Sequence, residues 1–516
     1  MRKLLLLLFL FSFIWAEEKF HNVLILEPDN ALELALRRQM YLKFIREKKE
    51  INQQYIKEKW MDYLPSLGIS YSRQKYILKE NEDIIYNELR LNAEQLIYDG
   101  GRRNTELELA KLNLSLSKEE YRNELNRSTY EFKNAYQTVL ASQIKTRLYY
   151  KSYIRSLKEL KWIEKELGEG FLTESDKLYS ESRLKEVELY LQKAKNEYSS
   201  SLRELKRQLG IIAKEKVLLS DNLLIDYILR KPPLSYQDFK STITQNAGLK
   251  AKKELLQARI AQREKSMQDK FYLPNISLGA YLGKTSETFP LNKTNWGVYF
   301  KLAFPFGGNP GFSSNSSLNS RSNNSPDTGV NVKSRNINSL QQSDLQVPNH
   351  YSIRRKQMES HLNFRKSVYS YNSKLLNIEQ GIEENLGLLN EHWNSIRLSM
   401  KTIEVKHKLL GIQQLALQVG SGKRLDVLNS ELDLIKAEDF LFESLLSYFR
   451  VANHLIFITG DNTLSTTFYS YEKGKGSMKD FLSGLEDTRT NHSEKEERNT
   501  ILDNTDKLIL DEVTIE

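Results

Sequence analysis

Two aspartates stand at the same distance from a glycine. Asp176 follows Gly170 by six residues, and Asp426 follows Gly420 by six. A glycine permits a tight turn, and a carboxylate at the start of the next helix complements the positive end of its dipole. That is electrostatics, not bond making. The sequence offers no Gly-rich phosphate loop, no His-Glu-x-x-His helix and no nucleophile motif, so no enzyme activity, catalytic residue or cofactor is expected. It contains no cysteine, which excludes disulfides, thiolate metal sites and a cysteine nucleophile. His407 lies in a helical seam without a second His or a carboxylate pair at ligand spacing, so it reads as a packing residue and no metal site is expected.

The aspartates belong to a unit that is written twice. Tyr63-Leu64-Pro65-Ser66-Leu67-Gly68-Ile69 returns as Tyr272-Leu273-Pro274-Asn275-Ile276-Ser277-Leu278. Each copy continues through a second alternating run to a Gly-Gly pair, Gly100-Gly101 and then Gly307-Gly308. A long helical stretch follows in each, broken once, at Gly170 and at Gly420. The period is far above that of solenoid repeats. It describes a duplicated unit of two strands and a long helical hairpin.

The strands show period-two alternation. Leu67, Ile69 and Tyr71 face one way, as do Leu89 and Leu91 in the next run. In the second copy Ile276 and Leu278 are followed by Trp296, Val298, Phe300, Leu302 and Phe304. Aromatics on the apolar face suit a lipid-facing barrel wall. The helices carry coiled-coil seams with spacings of three and four. One runs through Leu375, Ile378, Ile382, Leu386, Leu389, Trp393, Ile396, Met400, Ile403, His407 and Leu410. It resumes at Leu428, Leu432, Ile435, Phe442, Leu446 and Phe449, with Asp439 in one polar slot. The first copy has Leu184, Val187, Leu191, Ala194, Tyr198, Leu202, Leu205 and Leu209. The outgoing helix of each copy should hold about 65 residues and reach about 100 Å.

Residues 1–16 read as a secretory signal, with Arg2 and Lys3 before the apolar stretch Leu4 to Ile14 and Ala16 before the cut. The first repeat covers 17–211, with a helix over 28–60, strands within 64–98, a charged loop over about 74–87, and a hairpin over 102–210. Residues 212–247 join the copies. The second repeat covers 248–460, with strands over 273–306 and a hairpin over 351–459. Between these, the Ser/Asn-rich insertion 307–350 has no apolar period and is expected to be disordered. The polar tail 461–516 is expected to be partly disordered. The formal charge of +9, from 76 basic and 67 acidic residues, is interleaved along helix faces. No compact basic stripe with aromatics appears, so nucleic acid is not an expected partner.

The fold class is therefore mainly α with a small β part. Four strands cannot close a barrel, which needs about eight, and an open edge cannot sit in hydrocarbon. Three copies would supply about twelve strands and a continuous helical wall. The ordered set, with Val419-Gly420 leading into Leu425-Asp426-Val427-Leu428-Asn429, resembles the TolC-like outer-membrane efflux proteins over roughly residues 28–460. The resemblance implies a homotrimer with a transmembrane β-barrel in the outer-membrane lipid and a periplasmic α-helical tunnel. It also implies docking to a periplasmic adaptor, or membrane fusion protein, and an inner-membrane pump of RND, ABC or MFS type, serving efflux or type I secretion. It places the hairpin tips, and the docking surface, at Gly170, Phe171, Leu172, Thr173 and at Val419, Gly420, Ser421, Gly422. It makes Asp426 an acidic ring at the tunnel entrance, weakened because the family's second aspartate is Asn429 here. It makes Asp176 part of a latch. The basic partner expected for Asp176 is replaced by Gly422, with Lys423 and Arg424 following at once, and the expected tyrosine by Leu417. The competing reading is an exported coiled-coil scaffold or adhesin without a pore, which explains the seams but not the alternating strands.

Overall fold

The computed structural model describes residues 24–26, 28–76, 84–211, 217–219, 227–232, 250–304, 311–321, 336–345, 352–460 and 464–471. The signal stretch 1–16, the pair Gly307-Gly308 and most of the tail lie outside them. In chain order the elements are β1 (Leu24–Leu26), α1 (Pro28–Arg38), α2 (Met40–Met61), β2 (Ser66–Tyr76), β3 (Ile84–Tyr98), α3 (Arg102–Gly168) and α4 (Glu174–Gln208). Then come β4 (Val217–Leu219), β5 (Tyr227–Leu229), α5 (Lys252–Asp269), β6 (Asn275–Ser286), β7 (Lys293–Phe304), β8 (Phe312–Arg321) and β9 (Asn336–Leu345). The chain ends with α6 (Ser352–Gln418), α7 (Arg424–Thr459), α8 (Ser465–Phe468) and β10 (Tyr469–Tyr471). The duplication is visible in the lengths. Both α3 and α6 have 67 residues, and α4 and α7 have 35 and 36. The helix expected over 28–60 is two helices that part at Gln39. No helix among the described residues is long and apolar enough to cross a membrane.

The chain divides into two compact units. One comprises residues 43–122 and 251–376. It holds an antiparallel sheet in the order β2-β3-β6-β7-β8-β9. The four expected strands are there, and the ladder from Leu91↔Leu282 to Leu282↔Trp296 aligns their apolar residues on one face. The charged loop between β2 and β3 is shorter than expected, because residues 74–76 and 84–87 are strand.

The insertion 307–350 departs from its expected disorder. Residues 312–321 and 336–345 form the hairpin β8–β9, which continues the sheet from β7. Period-two hydrophobicity is what marks a strand in a sequence, and a Ser/Asn segment shows little of it. Ladder formation needs only backbone donors and acceptors, which β7 offers along a free edge.

The turn from sheet to helix is tied by side chains. Asp99 accepts from the backbone N–H of Gly101 at 3.0 Å and of Arg103 at 2.7 Å, so it caps α3. Gly100 has φ +68°, and a Cβ there would stand 2.7 Å from that of Leu273. Arg102 donates to Asn275 Oδ1 at 2.9 Å and to the Leu273 carbonyl at 3.0 Å, which joins the first copy to the second.

The other unit comprises residues 1–42, 123–250 and 377–516. Its core is the expected seam. Ile382, Leu389, Ile396 and Ile403 on α6 and Leu432 and Phe449 on α7 are almost fully buried, as are Val187, Ala194 and Leu205 on α4. The polar slot is accounted for: Asp439 accepts from the Tyr149 hydroxyl at 2.9 Å and lies 3.5 Å from Lys145 Nζ. Lys145 also pairs with Glu443 at 3.1 Å and Glu197 at 3.3 Å. Burial holds the Asp439 carboxyl above its usual range, although Tyr149 and Lys145 pull it down. β1 pairs with β4, and β10 pairs with β5, so residues of the linker and of the tail contribute strands. Tyr227, Phe449 and Tyr469 pack edge to face around β5 and β10.

Candidate gate at the hairpin tips and inverted sheet

Each long helix ends by the same device. Phe171 N–H donates to the Glu166 carbonyl at 2.9 Å and Gly170 N–H to Leu167 at 3.0 Å. In the second copy Ser421 N–H donates to Ala416 at 3.0 Å and Gly420 N–H to Leu417 at 3.1 Å. These are paired Schellman closures, and they require the left-handed glycine: φ is +84° at Gly170 and +78° at Gly420. Phe171 and Val419 are left 77% and 75% exposed.

The tips then differ. Thr173 caps α4 in a reciprocal box with Asp176: its Oγ1 accepts from the Asp176 N–H, and Asp176 Oδ2 accepts from the Thr173 N–H at 3.0 Å and hydroxyl at 2.6 Å. The Thr173 hydroxyl and backbone, with Lys423 nearby, hold the Asp176 carboxyl below its usual range. So Asp176 closes its own helix, and Lys423 acts on it only through its field. Helix α7 has no such cap. Its N-cap is Lys423, whose side chain makes no capping bond. Gly422 is close-packed, since a Cβ there would meet the backbone N of Leu417 at 2.8 Å.

What joins the second tip to the first is Arg424. Its guanidinium lies 2.9 Å from Glu166 and 3.5 Å from Glu159, and it stacks over the Trp162 ring at 5.3 Å. The three partners lie three and four residues apart on one face of α3, the spacing at which helical side chains are neighbours. Further along, Asn429 reaches the Tyr179 hydroxyl at 3.4 Å and Lys436 pairs with Glu186 at 3.1 Å. Asp426 is exposed in the first turn of α7, with no ion pair or side-chain hydrogen bond among the described residues.

The sheet is inverted relative to a soluble one. Leu67 and Ile69 are 75% and 76% exposed, and Tyr71, Leu89, Leu91, Leu278, Trp296, Val298 and Phe300 are exposed too. Ile276, Leu302 and Phe304 are half-buried on the same face. The opposite face is polar and covered: Asn295 is 2% exposed and Glu88 8%. Glu88 accepts from Arg90 and from Asn295, both at 2.7 Å, and Arg90 stacks over Tyr281 at 4.1 Å. Glu94 accepts from Lys301 at 2.8 Å and from the Tyr299 hydroxyl at 2.9 Å. Tyr299 lies across Gly279, where any Cβ would overlap the ring. An apolar band outside and paired polar groups inside is the pattern of a barrel strand in lipid.

A doubled strand hairpin, each feeding a coiled-coil hairpin of this length, is the fold of the TolC-like outer-membrane channels. The crystal structure of the Campylobacter jejuni CmeC outer membrane channel matches with a TM-score of 0.66 at 14% identity, over 89% of this chain and 89% of that one. A CusC structure, described for conformational changes accompanying folding and transmembrane channel formation, matches at 0.64 and 14% identity, over 84% and 91%. The open state of the Neisseria gonorrhoeae MtrE outer membrane channel matches at 0.62 and 14% identity, over 84% and 88%. No family model and no curated protein matches the chain by sequence.

Proposed function

We propose that three copies of this chain form a passive exit duct through the outer membrane, with the helical part in the periplasm and a gate at the hairpin tips. The observation that carries this is the inverted sheet, whose large apolar residues stand exposed among the described residues. Four strands, β2, β3, β6 and β7, carry the apolar band, so three copies close a barrel of about twelve. A second feature favours self-association. Leu398, Val405 and Ile412 recur every seven residues along α6 and are all exposed, 68%, 60% and 62%. They form a heptad stripe beside the buried one, as a helix packed on two neighbours requires.

At the tips, the self-capped α4 is the fixed member and the uncapped α7 the moving one. Arg424 on Glu166, Glu159 and Trp162 is the latch that holds the entrance closed. The Asp426 carboxylates ring the entrance and favour cations. Phe171 and Val419, apolar and exposed, are where a periplasmic adaptor docks. An inner-membrane pump supplies the energy for efflux or secretion, because nothing in the tips resembles a nucleotide or proton site. A coiled-coil scaffold without a pore leaves the exposed apolar face unexplained.

The test is the mass of the protein extracted by detergent from the outer-membrane fraction, by light scattering with the detergent subtracted. A trimer is expected. A monomer or dimer soluble without detergent would refute the duct.

A further inference from the structure

The apolar band thins beyond β7. Cross-strand partners lie on the same face of a sheet, so the ladder shows what continues the band. Phe300 is paired with Ser316, Leu302 with Ser314 and Trp296 with Ser320, whereas Val298 meets Leu318 and Phe304 meets Phe312. One strand further, Ser343, Gln341 and Ser339 take the same face, with Ile337 and Leu345 at its two ends. Six hydroxyl and amide side chains would then point into hydrocarbon, where each unsatisfied polar group costs several kcal/mol by order of magnitude. The reverse face of the hairpin, with Asn315, Ser317 and Asn319, is polar as well. A hairpin whose outer face is mostly hydroxyl and amide side chains, with only Phe312, Leu318, Ile337 and Leu345 apolar, fits a lipid-facing wall poorly.

The hairpin nevertheless holds the β7 edge along its length, from Trp296↔Ser320 to Phe304↔Phe312. Beyond the backbone ladder, the Tyr281 hydroxyl donates to Asn319 Oδ1 at 3.0 Å, and the Phe304 and Phe312 rings lie 6.1 Å apart. At the other end of the sheet β2 has no neighbour on its outer side among the described residues. β2 is antiparallel to β3, and its exposed face carries Leu67, Ile69 and Tyr71.

We propose that β8–β9 is an exchangeable cover for the β7 edge. It pairs with β7 in the unassembled chain and is displaced by β2 of a second copy when the barrel closes. This rests on the trimeric reading above. The exchange replaces one backbone ladder with another, so hydrogen bonding changes little. It swaps a strand with a mostly polar outer face for one whose outer face carries Leu67, Ile69 and Tyr71, so it is unfavourable to give up the cover in water and favourable in lipid. An exposed, long, flat edge is a template for wrong pairing, and a removable polar hairpin is one way to blunt it.

The absence of native cysteine makes the test clean. Two double variants, Val298→Cys with Leu318→Cys and Tyr299→Cys with Ser317→Cys, place thiols on opposed β7–β8 residues. Adjacent pairs in an antiparallel ladder alternate between wide and close approach, so one of the two suits a disulfide. Trimer content in detergent and channel conductance are measured with the pair reduced and oxidised. The expected result is trimer when reduced and no trimer when oxidised. A second variant lacks residues 312–345, which leaves 311 joined to 346 at the base of the paired ends Phe312 and Leu345. It should form the trimer with parental conductance. An oxidised chain that still gives trimers of parental conductance, or a folded deletion variant that gives none, would place the hairpin in the wall and overturn the exchange. If the parent and the reduced variants are themselves monomeric, the trimeric reading has failed and the exchange with it.

Discussion

Removing the Arg424 guanidinium tests the gate most directly. Its contacts are the 2.9 Å pair with Glu166, the 3.5 Å pair with Glu159 and the stack on Trp162. Arg424 is 28% exposed, Glu166 25% and Glu159 34%, so solvent screens both pairs. A screened pair contributes about 0.5 kcal/mol and an exposed cation–π contact about 0.5–1 kcal/mol, which sums to roughly 1.5–2 kcal/mol per tip. At about 1.4 kcal/mol per factor of ten, Arg424→Ala should raise the open-to-closed ratio of one tip by roughly 10- to 25-fold. Three tips opening together would multiply the effect. Single-channel recording of the purified protein in a planar bilayer reads it, as the fraction of time in the high-conductance state. Arg424→Lys should fall between parent and alanine, because an ammonium can pair with Glu166 but lacks the planar face for Trp162. An alanine variant that is trimeric and keeps the parental open fraction within about twofold would refute the latch, since a shift that small is about 0.4 kcal/mol.

Asp426→Ala should lower cation selectivity. Unchanged reversal potentials across a salt gradient would remove Asp426 from the entrance. Leu398→Asp combined with Val405→Asp puts charges in the exposed heptad stripe and should abolish the trimer by light scattering while helical content by circular dichroism stays; a variant that remains trimeric would show that the stripe does not face a neighbour. Asp439→Asn keeps an acceptor for Tyr149. Because burial raises the folded pKa of Asp439, its ionised form costs stability above that pKa and the cost is relieved as pH falls through it. The variant should therefore melt above the parent where the carboxyl is ionised, with a gap that narrows as pH falls through the raised pKa; a gap that widens on acidification would contradict the assignment. Gly279→Ala should drive Tyr299 off its strand and out of reach of Glu94, seen as a lower melting temperature and altered conductance. Parental values for both would mean the ring is free to move aside.

The sequence is legible where a periodicity is enforced by burial. Ile382, Leu389, Ile396 and Ile403 announced the seam because helix contact needs an apolar side chain every half-heptad. Leu67, Ile69, Trp296 and Val298 announced strands because a face must meet one kind of surroundings. The hairpin β8–β9 was illegible for the converse reason, since Ser314 and Asn315 on opposite faces carry no contrast. The proposed latch was legible on one side only. Arg424 stands in a marked place, just after the turn glycines. Glu159 and Glu166 look like any solvated helix charge, and only the spacing that groups them with Trp162 on one face could have singled them out. Glu88 and Glu94 were obscured likewise: the alternation says that their face is polar, not that it is paired across strands to Asn295 and Lys301. The parting of α1 from α2 at Gln39 carries no proline or glycine to mark it.

The equal lengths of α3 and α6 bear on how such a chain can change over time. A deletion of two turns from α3 alone would carry Glu166 about 10 Å away from Arg424, breaking the tie between tips that were matched before. The same deletion made in both copies would leave every tip contact in register. Length is thus a shared property of the two halves, tolerant of paired edits and intolerant of single ones. A comparison of natural variants should find insertions and deletions in these helices arriving in twos, at corresponding heptads.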